Sequence, residues 1–149
     1  MEYKPIEQSF SVAYAYKLYF TKGVFNKENT LFRDILAVYK PNSRVKLLFV
    51  VDGGVQRHHP DLLDTIASYC LAHGRTLHLT ESIVVPGGEG VKNDERSTRL
   101  VLEGINQQGI CRHSFVVVIG GGAVIDMAGY AAAIAHRGVK LIRIPTTVL

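Results

Sequence analysis

Two patterns of hydrophobic and polar residues alternate along this chain, one typical of buried strands and the other typical of helices. Apolar runs rich in β-branched residues predict four buried strands: 47–51, 83–85, 115–119 and 141–144. Apolar residues at helical spacing predict four helices: 29–40, 59–73, 93–108 and 122–136. Residues 6–25 alternate only in part, which predicts one or two strands ending near Gly23. Strand and helix alternate from 47 onward, as is typical of an α/β fold with a doubly wound, mainly parallel sheet flanked by helices.

Three of the predicted strands end in glycine clusters. Eight of the 14 glycines lie at 53–54, 87–90 and 120–122. The carboxyl ends of parallel strands share one sheet edge, where ligands of Rossmann-like folds bind. The run 120–122 begins a helix. Because glycine has no Cβ atom, a pyrophosphate can approach the backbone N–H groups of this run closely and be held by them. The dinucleotide fingerprint requires a glycine where Ile125 stands, so a tight structural turn remains an alternative.

Charged residues accompany each glycine cluster. Asp52 can accept hydrogen bonds from ribose hydroxyls, or it can simply begin a turn. Asp126 either interacts favourably with the positive end of the helix dipole or orients a ligand. Glu89 and Lys92 are three residues apart and can form an ion pair where the helix over 93–108 begins; alternatively, they belong to a surface turn. Asn93 is the expected N-cap of that helix.

Composition excludes several classes of protein. Lys and Arg exceed Asp and Glu by 17 to 13, which suits an anionic ligand, and no basic run indicates nucleic acid. Cys70 and Cys111 lack zinc or disulfide spacing, so a buried thiol at Cys70 and a reducing cytoplasm are expected. His58 and His59 lack a third metal ligand. The apolar stretch 114–135 is interrupted by glycines and is expected to be a strand and a helix, not a membrane span; no signal peptide is expected either.

Together the motifs resemble the N-terminal half of the 3-dehydroquinate synthase family, the sugar phosphate cyclases. The resemblance covers about 45–149 and rests on V-V-D-G-G (50–54), G-G-E-G-V-K (87–92), G-G-G-A-V-I-D-M-A-G-Y-A-A-A (120–133), H-R-G (136–138) and I-P-T-T-V-L (144–149). Two features depart from the family. Ile125 replaces a residue that is often small, and H-R-G replaces an aromatic- or Met-containing approach to the arginine. These departures leave the substrate open.

The resemblance implies an NAD site. The positions matching residues that hold NAD are Asp52, Gly53, Gly54, Glu89, Gly90, Val91, Lys92, Gly121, Gly122, Ala123, Asp126, Thr146 and Thr147. Arg137 matches an arginine that contacts the substrate's phosphate end across a dimer interface, so a homodimer is implied. In the family, a later helical domain binds a divalent metal, zinc or cobalt. Residues 1–149 are therefore expected to be the NAD-binding domain of a longer two-domain enzyme, without metal ligands of their own.

The activity that the resemblance implies is a phosphate-eliminating cyclisation in aromatic amino acid biosynthesis, the shikimate pathway. NAD is transiently reduced, phosphate leaves a seven-carbon sugar phosphate, the hydride returns, and an aldol step closes a carbocycle. No catalytic residue is expected in these 149 residues, and no turnover from them alone. Alternatives are a 2-epi-5-epi-valiolone synthase-type cyclase acting on sedoheptulose 7-phosphate, an iron-dependent alcohol or glycerol dehydrogenase, and a nucleotide-binding module. Gly129, in place of the dehydrogenases' lysine, favours the cyclases.

Overall fold

The chain folds around one parallel sheet. A computed structural model describes residues 4–13 and 15–147, so Val148 and Leu149 of the 144–149 motif and Tyr14 of the predicted N-terminal strands lie outside the described residues. The elements are α1 (Leu31–Ala37), β1 (Val45–Asp52), α2 (Gly53–His58), α3 (Leu62–Ala72), β2 (Leu77–Val85), α4 (Glu95–Gln107), β3 (Phe115–Gly120), α5 (Gly122–Ile134) and β4 (Lys140–Pro145), with 3-10 helices at Glu89–Asn93 and Ala135–Arg137. The strand order is β2-β1-β3-β4 and every pair is parallel, which confirms the predicted α/β architecture.

Both faces of the sheet are covered. On one face, Leu48 and Val50 of β1 pack with α4 and α5, and on the other Leu47 and Phe49 pack with α1 and α3. All four side chains are fully buried. Burial on both faces explains why the central strands are continuous apolar runs rather than alternating ones.

The strands predicted over 6–25 are wrong. The described residues of this segment contain no strand, and Phe10, Tyr16 and Phe20 are 88%, 93% and 91% exposed. A strand requires a neighbour that completes its hydrogen bonds, and apolar alternation does not supply one. Among its described residues, the segment packs against the core at Val24 and Phe25, and the ring of Phe25 lies 5.5 Å from that of Phe32.

Several element boundaries also differ from the predictions. The Gly53–Gly54 turn opens a short helix, α2, which ends before the predicted helix begins as α3. The predicted cap Asn93 is wrong, because it lies in a 3-10 helix and Asp94 caps α4 by accepting the Arg96 N–H at 3.1 Å. The strand predicted over 83–85 begins much earlier, at Leu77.

Two further expectations concern burial. Within 4–13 and 15–147, no helix combines the length and apolar character required to cross a membrane, and the stretch 114–135 contains β3 and α5. Cys70 is a buried thiol, as predicted, and its burial raises its pKa to about 12. Cys111 is exposed and also free.

Candidate functional site

The carboxyl ends of the strands meet at one edge of the sheet, where a cavity of about 710 Å³ opens. We call it the strand-end cavity. Seven of the residues singled out in the sequence line it: Asp52, Gly54, Gly121, Gly122, Ala123, Thr146 and Thr147. Its apolar wall consists of Val24, Phe25, Val55, Leu62, Ile119 and Ile144. The cavity therefore combines an apolar surface with backbone and carboxylate groups, the usual composition of a small-molecule site.

Asp52 is the buried carboxylate of this cavity. Its side chain is almost enclosed, and Oδ1 accepts the Gly54 N–H at 2.7 Å, which caps α2. Glycines from two other strand ends make room for it. A Cβ on Gly87 would lie 2.9 Å from Asp52 Cγ and closer still to Oδ1, and a Cβ on Gly120 would lie 2.9 Å from Asp52 Cβ. Sequence reasoning assigned these glycines to ligand approach and missed that two of them accommodate Asp52.

The glycines at the end of β3 form the wall of the cavity next to Asp52. Gly121 precedes α5 and Gly122 begins it, so the first N–H groups of α5 have no acceptor within the helix. A Cβ on Gly122 would meet no atom within 4 Å, so this position is open to an incoming group. The Thr146 N–H donates to Gly120 O at 3.0 Å, which ties the segment after β4 to the glycine run. This wall can receive an anionic group through backbone donors.

A charged cluster lies where the 3-10 helix Glu89–Asn93 approaches α5. Lys92 Nζ lies 3.1 Å from Glu89 Oε1, the pairing that their spacing predicted, and 3.3 Å from Asp126 Oδ2. The hydrogen bond that Lys92 donates to Glu89, followed by the one to Asp126, raises the pKa of Lys92. Lys92 and Asp126 also line a second cavity of about 700 Å³ between α4 and α5.

The remaining singled-out residues are distributed differently. Gly53 is buried where β1 joins α2, and Gly90 is exposed. The side chain of Val91 is 2% exposed and packs in the core, so only its backbone can meet a ligand. Arg137 lies beyond the far end of α5, with a φ of 66°, and the structure does not bring it to either cavity.

Sequence reasoning left two histidines without a role. His58 and His59 both line the strand-end cavity. Their position could have indicated this, because they follow Gly54 by about one helical turn in the segment after β1, at the edge of the sheet where a ligand was expected. Among the described residues, no group of three His, Cys, Asp or Glu side chains can hold a metal ion.

Comparisons with known sequences point to one family. Residues 82–149 match the model of the 3-dehydroquinate synthase N-terminal family. The chain is 34% identical over 114 residues to the 3-dehydroquinate synthase of Oceanobacillus iheyensis, covering 76% of this chain and 30% of that protein. It is 35% identical over 104 residues to that of Alkaliphilus metalliredigens, covering 70% and 27%. The chain thus spans less than a third of the length of these curated relatives.

Solved structures have the same fold. One is 2-epi-5-epi-valiolone synthase from Streptomyces hygroscopicus with NAD+ and Zn2+ bound, with a TM-score of 0.64 and 24% identity over 93% of this chain and 35% of that one. Another is 2-deoxy-scyllo-inosose synthase complexed with carbaglucose-6-phosphate, NAD+ and Co2+, with a TM-score of 0.54 and 25% identity over 76% and 29%.

Proposed function

This chain belongs to the 3-dehydroquinate synthase family of sugar phosphate cyclases, and from that premise we propose that its strand-end cavity binds NAD. The observation that carries the proposal is that one cavity is lined by residues that follow all four strands, including Gly88 after β2. Seven of these residues are positions that the resemblance assigns to NAD. Two solved structures with this fold contain NAD+.

The residues present fit a dinucleotide. Asp52 Oδ1 is engaged by the Gly54 N–H, which leaves Oδ2 to accept a hydrogen bond from a ribose hydroxyl. The open side of Gly122 and the free N–H groups of α5 suit the pyrophosphate. Thr146 and Thr147 close the cavity beside the glycine run and offer hydroxyl groups.

The charged cluster positions a second part of the ligand in this proposal. Lys92 is held by Glu89 and Asp126, so its ammonium group is fixed beside the start of α5. Both carboxylates remain largely exposed, with side chains 77% and 66% accessible, and each has oxygen atoms that can accept from ligand hydroxyls. In this proposal the cluster supplies acceptors at the second cavity, between α4 and α5, which shares α5 with the strand-end cavity.

The activity proposed for the whole enzyme is the phosphate-eliminating closure of a carbocycle from a seven-carbon sugar phosphate. Bound NAD would supply reversible hydride acceptance with no net redox change. This chain's part is to bind and orient the cofactor. Arg137, on the edge remote from the cavity, would serve the site of a second copy, where its guanidinium can clasp a phosphate. A divalent metal and the residues that hold it would come from a further domain.

Two substrates remain candidates for this reaction. The curated relatives support 3-dehydroquinate synthase chemistry on a seven-carbon sugar-acid phosphate. The solved valiolone synthase, which aligns over 93% of the chain, supports the fold and keeps sedoheptulose 7-phosphate as a second candidate. Phosphate release by the full enzyme from each compound separates the two.

The test of the cofactor proposal is NAD titration by calorimetry on the 149-residue chain. Asp52→Ala removes the ribose acceptor and is expected to weaken NAD binding by about 10–100-fold, since a hydrogen bond to a charged group contributes roughly 1.5–3 kcal/mol. Asp64→Ala, in the first turn of α3 and outside the cavity lining, is the matched control and should bind as wild type. Equal NAD affinity in the wild type and Asp52→Ala would contradict the assignment. We also expect no phosphate release from either substrate by this chain alone.

A further inference from the structure

His58 and His59 have no part in the family's matched contacts, yet both line the strand-end cavity. His58 ends α2 and His59 follows it. A metal-binding role is not supported, because no third ligand joins them among the residues that the structure describes. Their position next to Asp52 and Gly54 suggests contact with the ligand of the cavity.

The geometry of His58 fixes which ring nitrogen is available. Its Nδ1 lies 2.8 Å from the carbonyl oxygen of Gly54. A carbonyl oxygen only accepts, so Nδ1 carries the hydrogen, and in the neutral ring Nε2 carries the lone pair. The residue is exposed at the cavity. His58 therefore presents an acceptor, Nε2, to whatever occupies the cavity.

Gly54 joins this acceptor to Asp52. Its N–H donates to Asp52 Oδ1 at 2.7 Å, and its carbonyl oxygen accepts from His58 Nδ1 at 2.8 Å. One glycine thus holds two side chains whose remaining polar atoms, Oδ2 and Nε2, are both acceptors. A ligand group that donates to both must carry several hydroxyl or amino hydrogens. The pyrophosphate diester of a dinucleotide has none and does not match, whereas a ribose does.

We propose that His58 is a ligand-contacting residue whose Nε2 accepts a hydrogen bond from a hydroxyl of the adenosine ribose, beside Asp52. The inference rests on the proposed function, because it takes the ligand to be a dinucleotide. It goes further by assigning His58 a role in selecting a ribose over a deoxyribose. Loss of a single neutral hydrogen bond corresponds to about a 2–10-fold change in affinity.

The experiment measures calorimetric affinities at about pH 8, where an ordinary imidazole is neutral. The ligands are NAD and its 2′-deoxyadenosine and 3′-deoxyadenosine analogues, and the proteins are wild type, His58→Ala and His58→Gln. In the wild type, both analogues should bind more weakly than NAD: one lacks the hydroxyl assigned to Asp52, and the other lacks the hydroxyl assigned to His58, which should cost about 2–10-fold. In His58→Ala, NAD should weaken by a similar factor, and the penalty for the second analogue should vanish while the penalty for the first remains. His58→Gln, whose amide oxygen also accepts, should recover part of both effects.

His113→Ala is the matched control, since His113 is an exposed histidine next to Arg112, before β3 and outside both cavities. It should keep wild-type affinity for all three ligands. Thermal melts establish that each variant is folded. If His58→Ala binds NAD as tightly as wild type, or still discriminates against both deoxy analogues to the same extent as wild type, the role of His58 is refuted while NAD binding stands. If the wild type does not bind NAD, the proposed function fails and this inference with it.

Discussion

Gly87→Ala is the substitution that most directly tests the arrangement around Asp52. The added Cβ would lie 2.9 Å from Asp52 Cγ and Oδ2, and closer to Oδ1. An ordinary contact for a Cβ begins at 3.4 Å, so the carboxylate must retreat by at least 3.4 − 2.9 = 0.5 Å. The backbone at Gly87 does not have a positive φ, so alanine introduces no backbone strain there. The effect of the substitution is therefore confined to the displacement of Asp52.

The magnitude follows from what Asp52 does. Its retreat stretches the 2.7 Å hydrogen bond from the Gly54 N–H, which is the cap of α2. Loss of such a cap lowers the free energy of unfolding by about 0.5–2 kcal/mol. For a chain of this size, that corresponds to a fall of roughly 1–8 °C in Tm. Asp52 also leaves its proposed ribose contact, so NAD affinity should fall about tenfold.

The assay combines a thermal melt followed by far-UV circular dichroism with NAD titration calorimetry. Gly90→Ala is the matched control for the melt, because a Cβ there meets no atom within 4 Å and Gly90 does not have a positive φ. It should melt as wild type. A Gly87→Ala protein with both the Tm and the NAD affinity of the wild type would refute the reasoning.

Two other predictions concern ionisable groups. Lys92→Met removes the ammonium group that pairs with both Glu89 and Asp126. Because these ion pairs are exposed, the substitution should leave the midpoint of urea unfolding almost unchanged. It should nevertheless weaken NAD binding measured by calorimetry. Unchanged affinity would remove Lys92 from the site. Burial raises the pKa of Cys70 from 9.0 to about 12, so its contribution to stability is complete below pH 9 and is lost as the pH rises towards 12. Urea unfolding at about pH 8 and about pH 10.5 should therefore show a larger loss for wild type than for Cys70→Ala, and equal losses would contradict this.

The sheet was predictable from the sequence because its central strands are buried on both faces. The runs 47–51 and 115–119 are apolar throughout, so no knowledge of their partners was needed to identify them. The shared edge of the glycine clusters then followed from parallel topology alone. The segment 6–25 lacked this advantage, since whether a strand forms depends on a neighbour that local sequence does not specify.

The site was predictable in its residue types but not in its contacts. The pairing of Glu89 with Lys92 follows from a spacing of three residues. The bond from Lys92 to Asp126 does not, because it depends on how the 3-10 helix approaches α5 in the folded chain. The same holds for Gly87, whose missing side chain makes room for a carboxylate from another strand. Contacts between distant segments arise from packing, which sequence spacing does not encode.

The backbone of the turn that carries Arg137 is strained at two residues. His136, Arg137 and Gly138 take φ values of 47°, 66° and 100° in succession. Only the last is a glycine, and a left-handed conformation raises the free energy of each of the other two residues by roughly 1–3 kcal/mol. Glycine at 137 would relieve that strain and stabilise the fold. Arg137→Gly is therefore expected to raise the Tm of the chain, and arginine stands at this position at a cost to the stability of its own fold.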